Sequence, residues 1–417
     1  MLPAERKAIS TLAMKPEEVG LSSARLTRID EHLRRRYIEP GKLAGCLTLV
    51  ARHGKIAFLS SLGMSDLERT RPMADDTIFR IYSMSKPITS VALMSFYEEG
   101  HFQLDDPVHK FIPEWSDLRV YAGGNHPAFL TRPCERPMTI RDLLTHMSGL
   151  TYGFMERTNV DAAYRKLGVG NLGPKGTLRD MIDNLAELPL EFSPGTRWNY
   201  SVATDVLGYL VEVFSGQPFD VVLRERVLGP LGMIDTGFDV PAASTDRLAA
   251  NYDRRRDKTL RLIDDPATSS YTKPTTFFSG GGGLVSTAAD YHRFCQMLLN
   301  GGELDGTRIL GRKTVELMTM NHLPGGRDLT ELSVGAFSET TYEGNGFGLG
   351  FSITLDLATQ QGIGSPGDYG WGGAASTIFW IDPAEDLIVI FLTQFMPSAT
   401  FNFRGQLKSI VYPAIID

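Results

Sequence analysis

The stretch Ile81-Tyr82-Ser83-Met84-Ser85-Lys86-Pro87-Ile88 decides how the rest of this chain is read. Beyond it, Ile88, Val91, Ala92, Ser95, Phe96 and Glu99 recur at helical spacing, and Gly100 stands where a helix would stop. Pro87 is tolerated only in a first helical turn, where its missing N–H would have had no partner. The spacing therefore predicts a helix with Ser83 at its mouth and Lys86 one turn on, on the same face. Helix-start N–H groups favour developing negative charge, and a lysine within reach can take a hydroxyl proton. This is a place for a nucleophile. Alone, however, Ser-x-x-Lys is a weak signal that mostly marks solvated surface. A second copy, Ser270-Tyr271-Thr272-Lys273, runs into Pro274 and then four glycines, and reads as loop.

Outward from that stretch, Ser22 to Tyr37 reads as a helix with Leu26, Ile29, Leu33 and Tyr37 in one stripe and Ser22 or Ser23 as its cap. Gly45–Arg52 and Lys55–Ser60 read as strands joined in a hairpin at His53-Gly54. Thr77–Arg80 reads as a short edge strand feeding the serine helix. From Leu104 to Phe238 the pattern turns helical, with helices or helix starts at Asp105-Asp106-Pro107, at Met138 to His146 and at Thr204 to Phe214. Leu118–Arg136 and Gly168–Gly176 read as surface loops. After Gly280–Gly283 comes a helix from Ala288 to Asn300. Strands are expected at Phe347–Ile353, Ala375–Ile381 and Leu387–Phe395, and a closing helix at Arg404–Tyr412. The expected fold is α+β. One antiparallel sheet is assembled from both chain ends (1–100 and 250–417), and a mainly helical domain (101–249) is inserted between them. Ser83 lies at the seam, where a cleft would form.

Composition narrows the function. The chain has 417 residues, enough for two domains or one large one, with 42% hydrophobic and 22% charged residues and a formal charge of −7. No basic face points to nucleic acid. Arg34-Arg35-Arg36 ends a helix, where cations suit the dipole, and Arg254-Arg255-Arg256 reads as a solvated loop. Cys46, Cys134 and Cys295 are odd in number and far apart, which suggests a reducing compartment rather than a disulfide framework. The histidines form no metal-ligand pattern. Met1–Lys7 does not resemble a leader, and no apolar run is long enough to span a bilayer, so a cytoplasmic location is expected.

Two further pieces bear on chemistry. Ser83 needs a base, and an ordinary lysine is protonated at neutral pH, so burial or a second group must help Lys86. Tyr200, in Trp198-Asn199-Tyr200-Ser201-Val202 just before a helix, could share the proton, although a tyrosine in an aromatic loop is commonly packing. Gly370-Trp371-Gly372-Gly373-Ala374, taken as entering the strand Ala375–Ile381, could bring a backbone N–H close to a ligand and complete an oxyanion hole, although alone it reads as a Gly-rich turn.

Together, Ser83-Met84-Ser85-Lys86, Tyr200-Ser201-Val202 and Trp371-Gly372-Gly373 resemble, in order and spacing, the three motifs of serine hydrolases of the class C β-lactamase fold, with family VIII carboxylesterases as the nearest branch. Thr139 to Leu150, Phe192-Ser193-Pro194-Gly195, Leu228 to Met233 and Gly281 to Thr287 support it, and the likeness covers roughly residues 20 to 415. The resemblance implies a β-lactamase-like fold and an acyl-enzyme on Ser83, with Lys86 and Tyr200 sharing the general base. It places the oxyanion on the N–H groups of Ser83 and Ala374, and it calls for no cofactor and no metal. Trp371, Gly372, Gly373, Val202, Tyr152 and Phe154 would line the substrate, a small-molecule ester, with no nucleic acid or membrane as partner. His146 is taken as structural. β-Lactamases of this fold carry Asn at the place of Val202 and Lys-Thr-Gly at that of Trp371-Gly372-Gly373. Losing that lysine should favour neutral short-chain esters over anionic lactams, leaving at most weak β-lactam hydrolysis. An acyltransferase or a D-peptidase of the same fold, and a non-catalytic peptidoglycan or β-lactam sensor, stand as alternatives. An α/β-hydrolase does not, because Ser365 in Ile363-Gly364-Ser365-Pro366-Gly367 lacks one glycine of the elbow.

Overall fold

The computed structural model describes residue 9 and residues 14–170, 176–335 and 341–417. The segment Met1–Lys7 and residues 171–175 of the expected Gly168–Gly176 loop lie outside them.

Strands β1 (Gly45–Arg52) and β2 (Lys55–Asp66) form the expected hairpin, with His53 at φ 52° and Gly54 at φ 71°, the left-handed pair a two-residue turn requires. Strand β3 (Arg71–Pro72) edges β2. The remaining strands come from the far end of the chain: β4 (Asn345–Phe347), β5 (Ser352–Thr354), β6 (Tyr369–Gly372), β7 (Ile378–Asp382) and β8 (Leu387–Thr393). The sheet runs β4-β5-β6-β7-β8-β1-β2-β3, antiparallel throughout. Its two halves are joined by β1 against β8, with Leu49 opposite Ile390.

Every residue of β1 and β8 is buried, so alternation in these strands sorts residues between two cores rather than between core and water. Leu47, Leu49 and Ala51 meet Ile388, Ile390 and Leu392 on one face, under α2 (Ser85–Glu98) and α8 (Ala288–Leu299). Cys46 and Val50 meet Val389 and Phe391 on the other, under α1 (Ser23–Leu33) and the closing helix α9 (Phe403–Val411). Ser22 caps α1, accepting from the Arg25 N–H, and Leu26, Ile29, Leu33 and Tyr37 form the buried stripe that the spacing predicts.

The inserted lobe holds α3 (Ile140–Leu144), α4 (Asn159–Leu167), α5 (Leu178–Ala186), α6 (Ala203–Ser215) and α7 (Phe219–Leu223). Three of these start in the same way. Thr139, Thr158 and Thr177 each cap a helix and exchange bonds with an aspartate three residues on (Asp142, Asp161, Asp180), satisfying two otherwise orphaned N–H groups per helix. Helix α6 is buried from Ala203 to Val211 and packs against α2, fixing the lobe to the serine helix. No single described helix is long and apolar enough to cross a membrane; α6 and the following helical stretch to Leu228 pass by length together, but are bent 85° apart.

Four local expectations are corrected. Leu118–Arg136 is not loop but a hairpin, Arg119–Asn125 against Ala128–Pro133. Its glycines and prolines hide the pairing, and the ladder is anchored from outside by Leu190, which bonds Arg119 and Tyr121 through its backbone. Phe347–Ile353 is two strands, β4 and β5, because Gly348 and Gly350 turn the chain between them; Gly350, at φ 103°, packs so tightly on Ser90 of α2 that a Cβ would collide. The strand after Trp371-Gly372-Gly373 begins at Ile378, not Ala375, so the motif ends β6 and turns into β7. Finally, the short strand expected at Thr77–Arg80 is Phe79–Arg80 alone, and it pairs with Val285–Ser286 in a separate two-stranded sheet.

Candidate active site

Ser83 sits in a 3-10 turn, Tyr82–Met84, that runs into α2. The turn is strained. Tyr82 has φ 43°, a left-handed conformation that costs a side chain-bearing residue about 1–3 kcal/mol. Its surroundings hold it there, with Asn251 Nδ2 donating to its hydroxyl at 3.1 Å and the Tyr271 ring set edge-on at 6.4 Å. Ser83 is therefore presented at the first N–H groups of α2, which have no acceptor within the helix. It is 8% exposed.

Lys86, the second residue of α2, is buried. Its Nζ donates to the Gly281 carbonyl at 2.6 Å and to Ser83 Oγ at 3.3 Å. Two rings flank the amine, Tyr200 with its centroid at 4.5 Å and Tyr152 at 5.4 Å. Tyr200 is buried in the loop before α6, among the rings of His146 (5.0 Å), Tyr152 (5.4 Å) and Trp371 (5.7 Å). The structure thus brings Ser83, Lys86 and Tyr200 together from two distant segments.

The third segment arrives through backbone. Gly373 follows β6, its N–H bonded to the Thr377 carbonyl at 2.7 Å, and its Cα lies so near the Ile81 carbonyl and Thr377 Oγ1 that any Cβ would overlap both. Contact between two backbones is what brings the Gly372-Gly373-Ala374 turn against the strained turn before Ser83. Ala374 is half-buried.

The side chains expected to line the substrate behave differently from one another. Trp371 is fully buried, packed on Tyr200 and edge-on to Phe347 at 5.3 Å. It backs the tyrosine rather than offering an open apolar wall. Val202 is also fully buried, beneath Gly170, where a Cβ would come within 2.5 Å of its Cγ1. Tyr152 is nearly buried, whereas Phe154, stacked on it at 4.6 Å, is 47% exposed.

His146, at φ 57°, clamps the Tyr200 loop. Its carbonyl accepts the Asn199 N–H at 2.9 Å, and its Nδ1 lies 3.1 Å from Ser201 Oγ. Burial, reinforced by the Lys86 charge, holds its pKa well below the ordinary value of 6.5. The folded protein keeps this ring neutral while the unfolded chain takes up a proton as pH falls through 6.5, so stability is lost on the acid side only. We expect His146→Gln to flatten the fall in melting temperature between pH 7 and pH 5, measured by calorimetry. An unchanged slope would show that other groups carry the acid sensitivity.

Asp205 escaped sequence reasoning, and Gly281 entered it only within a supporting stretch. Asp205, on the first turn of α6, is buried, and its Oδ1 accepts from Ser279 Oγ at 2.5 Å and from the Gly281 N–H at 3.0 Å. Gly281 carries the carbonyl that holds Lys86, and a Cβ there would come within 2.7 Å of Asp205 Oδ2 and 2.9 Å of the Tyr152 hydroxyl. The signal was the Gly280–Gly283 run itself: glycines clustered before a helix mark a close approach, but only the fold says to what. Among the described residues, no group of three or more His, Cys, Asp or Glu is placed to hold a metal ion.

Comparison with known proteins agrees with this fold. The beta-lactamase family model matches residues 32–408. An uncharacterized protein of Mycobacterium tuberculosis is 39% identical over 371 residues, covering 88% of this chain and 90% of that one. Esterase EstB of Burkholderia gladioli is 33% identical over 392 residues, covering 89% and 90%. Among solved structures, EstCE1, described as a hydrolase with promiscuous acyltransferase activity, superposes with a TM-score of 0.78 at 28% identity, covering 93% of this chain and 99% of that one.

Proposed function

The chain belongs to the beta-lactamase family, and from that premise we propose that it is a serine enzyme of acyl-ester chemistry, forming an acyl-enzyme on Ser83 that water or an alcohol then resolves. The observation that carries this reading is a buried amine, Lys86 Nζ, fixed by the Gly281 carbonyl and 3.3 Å from Ser83 Oγ. As Ser83 Oγ bonds to the ester carbonyl carbon, its proton passes to the Lys86–Tyr200 pair. The N–H groups of Ser83 and Ala374 hold the resulting oxyanion. Collapse breaks the bond to the alcohol, which leaves with that proton. A second nucleophile repeats the sequence in reverse and frees Ser83. The chemistry needs no cofactor.

Hydrolysis of short-chain esters, in the manner of the family VIII carboxylesterases that the motifs resemble, is the first reading. Acyl transfer to an alcohol is the second. It is favoured by the description of EstCE1 and by the depth of the machinery: Ser83, Lys86 and Tyr200 are 8%, 2% and 1% exposed, which limits water around an acyl-enzyme. Trp371 brings no charge to the place where the fold's lactamases carry a lysine for the lactam carboxylate. The absence of that ion pair is worth a few kcal/mol, roughly 100-fold in turnover.

Purified protein should therefore turn over p-nitrophenyl butyrate at least roughly 100-fold faster than nitrocefin in kcat/KM. Comparable rates on the two would overturn the substrate argument. Adding a short alcohol and separating butyrate from butyryl ester then measures the partition directly: mostly acid supports a hydrolase, mostly ester a transferase.

A further inference from the structure

Lys86 poses a physical problem. A buried ammonium needs an acceptor for its protons and a charge to balance it. Among the described residues, the groups facing it include Ser83 from its own helix start, Tyr152, Tyr200 and His146 from the lobe, the Gly281 carbonyl, and Asp205 from α6. His146 is kept neutral, and Asp205 is the one carboxyl group of the set. It lies 2% exposed. Burial pushes this carboxyl up, while the Ser279 hydroxyl, the Lys86 charge and the Gly281 N–H pull it back toward the ionised form.

Asp205 also acts on Lys86 through covalent structure. One residue, Gly281, gives its N–H to Asp205 and its carbonyl to Lys86. The neighbouring Gly280 carbonyl accepts from Thr89 Oγ1 at 2.8 Å, so the loop is fastened to α2 on one side and to α6 on the other. The absence of a side chain at 281 lets the carboxylate reach the backbone.

We propose that Asp205 is the positioning residue of the amine: it pins Gly281 so that the Gly281 carbonyl holds Lys86 Nζ beside Ser83, and it supplies the buried negative charge against which Lys86 takes up the serine proton. The inference rests on the Ser83–Lys86 reading above. The proton that leaves Ser83 Oγ as its bond to the acyl carbon forms resides on the Lys86–Tyr200 pair, stabilised by the carboxylate. It departs on the alcohol oxygen when that C–O bond breaks, so the site returns to its starting charge.

The sign of the pH effect follows. A nearby negative charge favours the protonated amine, so removing it lets Lys86 act as a base at lower pH. Asp205→Asn keeps an oxygen for Gly281 and Ser279 but removes the charge. Profiles of kcat/KM against pH for p-nitrophenyl butyrate, with fluorophosphonate labelling of Ser83 on the same samples, make the test. We expect Asp205→Asn to be slower and its acid limb to move to lower pH by roughly one unit. A slower variant with the wild-type limb would show a structural role only and overturn the proposal. Ser279→Ala is the milder second variant should Asp205→Asn fail to fold. It removes one donor to the carboxylate and should shift the limb the same way by less, and an unmoved limb there also overturns the proposal. A wild type that fluorophosphonate does not label, with Ser83→Ala equally active, would instead bring down the nucleophile assignment, and this inference with it.

Discussion

Ser83→Ala is expected to lower kcat on p-nitrophenyl butyrate by on the order of 10⁶-fold, leaving only the turnover that binding and the oxyanion donors supply. The substitution removes one oxygen at a residue already nearly buried, so folding should be unaffected. Lys86→Met should cost nearly as much, because the serine hydroxyl loses the amine 3.3 Å away. Methionine fills the stem of the side chain but leaves the Gly281 carbonyl without the donor it has at 2.6 Å, a loss of about 1–3 kcal/mol that should be visible in thermal melting. The informative quantity is the double variant. If Ser83 and Lys86 act as one unit, Ser83→Ala with Lys86→Met is barely worse than either alone, because the second change removes a group with nothing left to serve. Multiplicative losses would mean that Lys86 contributes independently, for example to folding alone, and that another group takes the serine proton.

How much of this could be read from the sequence depends on the range of the contacts. The serine helix, its Pro87 in the first turn and the His53-Gly54 hairpin are decided within a few residues, and they stand as expected. The joining of both chain ends in one sheet was also legible, because hairpin-forming strands near the N-terminus and further strands near the C-terminus, with a helical stretch between them, each left edges to be paired. The Arg119–Pro133 hairpin was not. Val120 is its one fully buried residue, its strands carry glycines and a proline, and what orders it is Leu190, far along the chain. The burial of Trp371 was not legible for a similar reason. The resemblance placed it against the substrate, whereas Phe347 and Tyr200, brought from elsewhere in the chain, pack on it and leave it fully buried. Asp205 was missed because its partners are backbone and hydroxyl groups on a loop over 70 residues later, and no motif records such a pairing.

Gly373→Val should be the most damaging substitution outside the Ser83–Lys86–Tyr200 set. The motif glycine is needed here for space, since its φ lies outside the left-handed region. Its Cα faces the Ile81 carbonyl, two residues before the nucleophile, and Thr377 Oγ1 within its own turn. The threonine can rotate away, but the Ile81 carbonyl belongs to the turn that holds Tyr82 at φ 43° and has little freedom. A valine must therefore push the Gly372-Ala374 turn away from the Ser83 turn. The two N–H groups assigned to the oxyanion would then separate, and losing one such donor costs roughly 10²–10³ in kcat. Overpacking should also cost about 1–3 kcal/mol of stability. The expected pattern is a kcat reduced by that factor with a KM that changes little, since the ground-state ester makes little use of the oxyanion donors. Ser83 should remain chemically present, and fluorophosphonate labelling should slow in parallel with kcat because it too passes through an oxyanion-like state. If Gly373→Val lost stability but kept its kcat, the Gly372-Ala374 turn would be a packing element only, and the oxyanion would have to be held by donors on the Ser83 side of the cleft.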